Sequence, residues 1–424
     1  MKHIQFIGIS VTLVALFSGC GNTTTADIKA DKTARTLNTS TLNSIQDDGL
    51  SYLNGLRNSA GMIPLMHNTQ LEHAANNHAA YLTQNNLFSH YESKQYAGFT
   101  GVEPANRATF SGYAQKNVGE NISSANGSTQ NSVDTLFSAI YHRFAFLNFA
   151  YDEVGIGFSQ SASYGYENVY NYNMGVSPLR LLCEGVGSTE EASYYSGICK
   201  DESIKVGVKA YDIALSMNKN QNPDFVIWPT HGMDAIPPVF YEESPDPLPE
   251  CSVSGYPVSI SFNPLKSGSI MIDSFKLYDA QNQEITDVKL MDKRNDPNRE
   301  FTDKEFALFP TKRLAWNSNY HVEIAYHDSG KLKQKTVDFK TASLPYPAQT
   351  VGQKGMILEA AVNQTTIFYL PPANCNDTLR TFTATGVPAD IAFYDANTIM
   401  ITPKAKGKLA VYPSNGREFT LEVK

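Results

Sequence analysis

The sequence predicts an α+β protein, with helices and one sheet in an N-terminal domain and β structure alone beyond it. Three observations carry this. Apolar residues recur at helical spacing from Leu42 to Leu147, then alternate with period two at Val154, Ile156 and Phe158. The apolar segments past residue 257 keep that period of two. Prolines crowd into two places, Pro223 to Pro249 and Pro345 with Pro347, and divide the chain beyond the first domain into two modules. Of the 424 residues 42% are hydrophobic and 18% charged, with 23 Tyr and 22 Phe, so there is enough apolar surface for several cores.

Leu42, Ile45, Leu53 and Leu56 share one helical face, and Gly61 can end that helix in the left-handed conformation. Asn68 is placed to cap a second helix that buries Leu71, Ala74, Ala75, His78 and Leu82. A third helix is marked by Val133, Leu136, Phe137, Ile140, Phe144 and Leu147. Strands over 154–158 and 166–174 close the domain near Gly175. After the first proline cluster, Val258-Ile260-Phe262, Ile270-Ile272, Tyr320-Val322-Ile324 and Val337-Phe339 alternate as in a β-sandwich. Shorter strands at 367–369, 391–393, 399–401, 409–411 and 419–423 come after the second.

The N-terminus sets the compartment. Met1-Lys2-His3 is a short basic start, residues 4–17 are apolar, and Ser18-Gly19 precede Cys20, the pattern of a signal peptide. A membrane span would need about 20 apolar residues with charged flanks. Leu16-Phe17-Ser18-Gly19-Cys20 resembles a bacterial lipobox, which implies that Cys20 is the lipidated, palmitate-bearing N-terminus, held at the outer membrane by Gly21 if the cell is Gram-negative. Residues 21 to about 40 are small and polar and read as a tether. With Cys20 set aside, Cys183, Cys199, Cys251 and Cys375 form an even set that an oxidising compartment would pair in one of three ways. Closing the short Cys183 to Cys199 loop stabilises by about 3 kcal/mol, which favours that bond together with Cys251–Cys375. Lys and Arg number 34 against 42 Asp and Glu, and the net charge of −8 has the wrong sign for a nucleic-acid partner.

Four side chains able to ligate metal or move protons occur in order: His90 in Leu87-Phe88-Ser89-His90, Glu120 in Gly119-Glu120-Asn121, His142 in Tyr141-His142-Arg143, and Glu153 before Val154-Gly155-Ile156-Gly157. With Leu53-Asn54-x-x-Arg57, Pro64-Leu65-x-x-Asn68, His78-Ala79-x-Tyr81, Gly98-Phe99-Thr100-Gly101 and Gly112-Tyr113, the chain resembles the CAP superfamily of cysteine-rich secretory proteins, antigen 5 and pathogenesis-related proteins, in its bacterial branch, over residues 45 to 175. The resemblance implies an α-β-α sandwich in which His90, Glu120, His142 and Glu153 converge in a cleft and hold a divalent cation. Two imidazoles and two carboxylates suit Zn²⁺ or another divalent cation, which would acidify a bound water. The family's tryptophan near the third helix is replaced here by Leu136 or Phe137. Structural readings stand beside these: His78 as a hydrogen-bonded core histidine, Glu120 bonding the turn 119–121, Glu153 as a surface carboxylate, and His231, His321 and His327 as surface or structural residues. There is no HExxH helix and no Gly-x-Ser-x-Gly elbow.

The expected divisions are a lipoprotein signal peptide (1–19), anchor and tether (20–41), a CAP-like domain (42–182), a cysteine-containing extension and proline-rich seam (183–236), an Ig-like sandwich (237–343) and a small β-rich domain (344–424). Gly255-Tyr256-Pro257-Val258-Ser259-Ile260 and Phe306-Ala307-Leu308-Phe309-Pro310 look like the bacterial Ig-like modules that follow some CAP-like domains. The leading functional expectation is a lipid-anchored envelope protein whose His/Glu cleft binds a cation and a lipid, sterol or other envelope component. A metal-assisted hydrolase of peptidoglycan or protein, with Glu120 or Glu153 as base, is the second. An adhesin or scaffold working through its β modules is the third.

Overall fold

The structure, a computed structural model, describes residues 39–124, 128–160, 168–186 and 193–424. The expected signal peptide, Cys20 and most of the tether lie outside the described residues. The first domain runs α1 (Thr39–Ser59), β1 (Met66–His67), α2 (Thr69–Asn85), α3 (Pro104–Phe110), β2 (Gly119–Ser124), α4 (Thr129–Ser138), α5 (Ile140–Phe146), β3 (Glu153–Gln160) and β4 (Asn168–Gly175). Its sheet has the order β1-β3-β4-β2, parallel only between β1 and β3.

β3 shows how the layers arise. Val154, Ile156 and Phe158 enter one core with Leu53 of α1 and Val133 and Leu136 of α4. The alternate residues meet α2 at backbone distance, since a Cβ on Gly155 would lie 1.9 Å from the Glu72 nitrogen and one on Gly157 2.1 Å from the Ala75 carbonyl carbon. Only glycine permits that approach. Helices therefore cover both faces, and the domain is an α-β-α sandwich. Asn68 caps α2, accepting the N–H groups of Gln70 and Leu71 at 3.0 and 3.1 Å. Gly61 ends α1 at φ +72°.

The single third helix is corrected to two. The ladder breaks at Ala139 (φ −77°, ψ 121°), and α5 starts afresh with its Ile140 N–H donated to the Glu243 carboxylate at 2.6 Å. A carboxylate at a helix start satisfies an orphan donor and complements the helix dipole, and this one arrives from beyond the domain. α3, opened by Pro104 at its first position, was not anticipated.

The chain continues through α6 (Ser177–Cys183), β5 (Tyr194–Tyr195), β6 (Val206–Gly207) and α7 (Val208–Gln221), with Cys183 bonded to Cys199. Next comes a β-sandwich made of β7 (Phe225–Trp228), β8 (Met233–Ile236), β9 (Val258–Phe262), β10 (Ile270–Tyr278), β11 (Val288–Met291), β12 (Glu305–Pro310), β13 (Asn319–Asp328) and β14 (Lys331–Thr341). Its sheets have the orders β10-β13-β14-β8 and β11-β12-β9-β7. β7 and β8 thus lie ahead of the boundary expected at residue 237, inside what the prolines marked as a seam. Pro223, Pro229 and Pro237 flank these strands, where a missing N–H costs no ladder bond.

The last module contains β15 (Ala348–Thr350), β16 (Met356–Ala360), β17 (Thr366–Tyr369), β18 (Phe382–Gly386), β19 (Ala389–Asp395), β20 (Thr398–Pro403), β21 (Gly407–Pro413) and β22 (Phe419–Val423). Its two four-stranded sheets enclose a separate core around Phe368, Ile399, Val411 and Leu421. Cys251–Cys375 ties it to the segment before β9. The first domain and first sandwich, by contrast, share apolar packing: Phe137 and Phe146 belong to one cluster with Trp228, Val258 and Ile260.

Candidate functional site

Glu120 stands on β2 opposite Asn173 of β4, with its side chain 1% exposed. Both its oxygens accept from Arg107 Nη2, at 2.7 and 2.6 Å; Asn171 Nδ2 adds a bond at 2.9 Å and His90 Nδ1 another at 2.9 Å. Burial alone would raise the pKa of this carboxyl. The hydrogen bond from His90 and the charges of Arg107, His78 and His90 overcome burial and hold it down to about 2. Arg107, carried by α3, also donates to the His90 carbonyl at 2.9 Å and so positions both partners.

Behind this couple His78 is fully buried, its Nδ1 at 2.9 Å from Glu92 and its Nε2 at 3.0 Å from the Ser89 carbonyl. It is the hydrogen-bonded core histidine the sequence suggested. Burial pushes the Glu92 carboxyl up, but the bonds from His78 and from the Thr100 N–H leave it below the usual range.

His142 lies on α5, and its ring stacks beside that of His90 with centroids 6.3 Å apart and planes 25° apart. Its Nδ1 is 2.8 Å from Oε2 of Glu243, whose side chain is 2% exposed. Asn121 Nδ2 donates to the His142 carbonyl at 2.8 Å, which ties α5 to β2 one residue from Glu120. Each Nδ1 thus faces a carboxylate, to which it donates, and a neutral ring so bonded keeps its lone pair on Nε2. Among the described residues neither Nε2 forms a hydrogen bond, and the side chains are 37% (His90) and 13% (His142) exposed.

Glu153 is not in this cluster, which corrects the expected convergence of four. It is buried at the start of β3, accepting from the Tyr113 hydroxyl at 2.7 Å, from Asn68 Nδ2 at 3.1 Å and from Arg180 Nε at 3.0 Å. It clamps α6 and the cap of α2 onto the sheet, so it is neither a ligand of this site nor a surface carboxylate. Strand β4 separates it from Glu120. The carboxylate that does meet His142 is Glu243, 101 residues away in the proline-rich stretch and without local motif.

The donor set decides how zinc fits. A catalytic zinc uses three protein ligands and a structural one four. Glu120 is turned onto Arg107 and Glu153 onto Arg180, leaving two Nε2 atoms. Among the described residues no group of three or more His, Cys, Asp or Glu could hold a metal ion. The four-ligand set therefore does not fit, and no chemistry is routed through it.

Residues 50–174 match the family described as Cysteine-rich secretory protein family, CAP. No curated protein sequence matches the chain. Solved structures similar to it include an extracellular protein containing an SCP domain from Bacillus anthracis, 20% identical over 33% of this chain and 44% of that one, TM-score 0.28. An outer surface protein from Borrelia burgdorferi is 17% identical over 34% of this chain and 98% of that one, TM-score 0.29. A cysteine-rich secretory protein from Staphylococcus aureus is 16% identical over 32% of this chain and 39% of that one, TM-score 0.21. This chain spans less than half the length of the Bacillus and Staphylococcus proteins. At such scores the assignment rests on the family match together with the motifs quoted above. Residues 50–174 of this chain form a CAP domain.

Proposed function

We propose that this is an exported envelope protein that binds its ligand where His90 and His142 meet on the CAP domain. The observation supporting this is the pair of stacked imidazoles, each with Nδ1 bonded to a buried carboxylate and Nε2 without a hydrogen-bond partner among the described residues. Such rings are preorganised to accept or share a proton with a bound polar group. Phe88 and Tyr91, 40% and 63% exposed on either side of His90 in sequence, add aromatic surface suited to a ligand with a flat apolar face. An envelope glycan or lipid meets both requirements. Export is supported by residues 1–20 and by two disulfides, which belong to an oxidising compartment. Lipid on Cys20 would then hold the chain at the membrane; among the described residues no helix is long and apolar enough to cross one.

The test is co-sedimentation of the full chain, carrying Cys20→Ser to remove the anchor, with purified peptidoglycan and with phosphatidylethanolamine/phosphatidylglycerol vesicles. Retention on one probe is expected, falling about tenfold, or ~1.4 kcal/mol, in the His90→Ala/His142→Ala variant. Equal retention of both proteins on every probe defeats the reading. Release of soluble fragments from peptidoglycan points instead to the hydrolase.

A further inference from the structure

We infer that the first β-sandwich module is a working part of this site: Glu243 is a positioning residue for His142, and the site is complete only while that module is docked. The inference rests on the binding reading above and assigns the module a role in it.

The Glu243 carboxylate does three things at once. It accepts the Ile140 N–H at 2.6 Å and lies 3.4 Å from the Tyr141 N–H, starting α5 one residue after the chain breaks at Ala139. It also faces His142 Nδ1 at 2.8 Å, setting the orientation and tautomer of the ring. Being nearly fully buried, it makes these bonds out of competition with water.

The neighbours of His142 are held from the same side. The Tyr141 hydroxyl bonds Asp296 and accepts from Asn298 Nδ2 at 3.0 Å. Arg143, fully buried, donates to the Pro257 carbonyl at 2.7 Å and Ser259 Oγ at 3.1 Å, and its guanidinium lies 4.8 Å from the centre of the Tyr256 ring. Tyr256 in turn donates to the Phe137 carbonyl at 3.0 Å, and Trp228 packs on Phe137 at 4.6 Å. Three consecutive side chains of α5 thus take partners from 243–298, all outside the CAP domain. His90 takes Glu120 from within that domain, and Arg107 backs the couple. Opening the seam would free the His142 ring and leave the His90 couple standing.

The experiment is long-range proton–nitrogen NMR of the histidine rings in the full chain, without ligand, at about pH 8.5, above the ordinary imidazole range. His90→Gln and His142→Gln assign the two signals. In wild type both rings are expected as the Nδ1–H tautomer. Glu243→Ala should move His142 to the mixture of tautomers seen in free histidine and leave His90 unchanged, whereas Glu153→Gln should move neither. Wild-type His142 already in the Nε2–H or mixed form overturns the inference, even if Glu243→Ala does not fold. An unchanged His142 in a folded Glu243→Ala protein overturns it too. Because no ligand is present, failure here is distinct from failure of the binding reading, which the sedimentation experiment alone decides.

Discussion

The two halves of the site use the same chemistry on different supports. His90 and Glu120 are both inside the CAP domain, and Arg107 binds the carboxylate and the His90 backbone together. His142 pairs with a carboxylate from the sandwich segment between β8 and β9, through a helix that segment also caps. The first couple is a property of the domain, the second a property of the seam. A CAP domain can therefore keep one half of its site while handing control of the other to whatever is docked beside it.

The largest effect should come from removing the internal support. Arg107→Ala leaves Glu120 and Glu92 buried without their guanidinium, and a loss of about 3–5 kcal/mol in urea unfolding is expected. A loss below about 1 kcal/mol would show that the first couple stands without Arg107. Arg143→Ala, the corresponding cut at the seam, strands the buried Pro257 carbonyl and leaves the Phe137 carbonyl to Tyr256 alone, and should cost about 2 kcal/mol. If it costs nothing measurable, α5 is not held by the sandwich.

Acid separates the couples. Glu120 has a folded pKa of about 2, below its unfolded value near 4.3, so its contribution is present above the unfolded value and lost as pH falls from there through about 2. The loss of stability between pH 4.5 and 2 should be shallower in Glu120→Gln than in wild type; parallel profiles would contradict the assignment. Asp246, beside the seam acid, behaves oppositely. Burial first, then the charges of Glu242, Glu243 and Glu250, raise it to about 6, so its ionisation above that pH opposes folding. Asp246→Asn should raise the melting temperature by a few degrees at pH 7.5 and leave it unchanged at pH 4. Zinc gives the smallest signal: with two imidazole nitrogens as donors, calorimetry should find no sub-micromolar site, and one that His90→Ala abolished would restore the four-ligand expectation.

The sequence exposed the parts whose partners are near in the chain or whose pattern is periodic. Asn68, Gly61 and the alternation at Val154, Ile156 and Phe158 announced α1, α2 and β3, and the short cysteine loop announced Cys183–Cys199. His90 and Glu120 were legible because each sits in a motif. Glu153 misled for the same reason, since a carboxylate at the head of a strand reads alike whether it faces a cleft or Arg180. Glu243 had no signal: its role depends on β7 and β8 joining the sandwich and bringing a proline-rich stretch back over α5. The break at Ala139 was hidden with it, because the apolar stripe from Val133 to Leu147 runs unbroken through both helices.

The choice between the acid the motif pointed to and the acid the fold delivers can be measured by two double-mutant cycles on unfolding free energy, one combining His142→Ala with Glu243→Ala, the other combining it with Glu153→Ala. A coupling of about 1–2 kcal/mol is expected for His142 with Glu243, and one within about 0.5 kcal/mol of zero for His142 with Glu153. The reverse order would place Glu153 in the site and contradict a site completed from the first β-sandwich module.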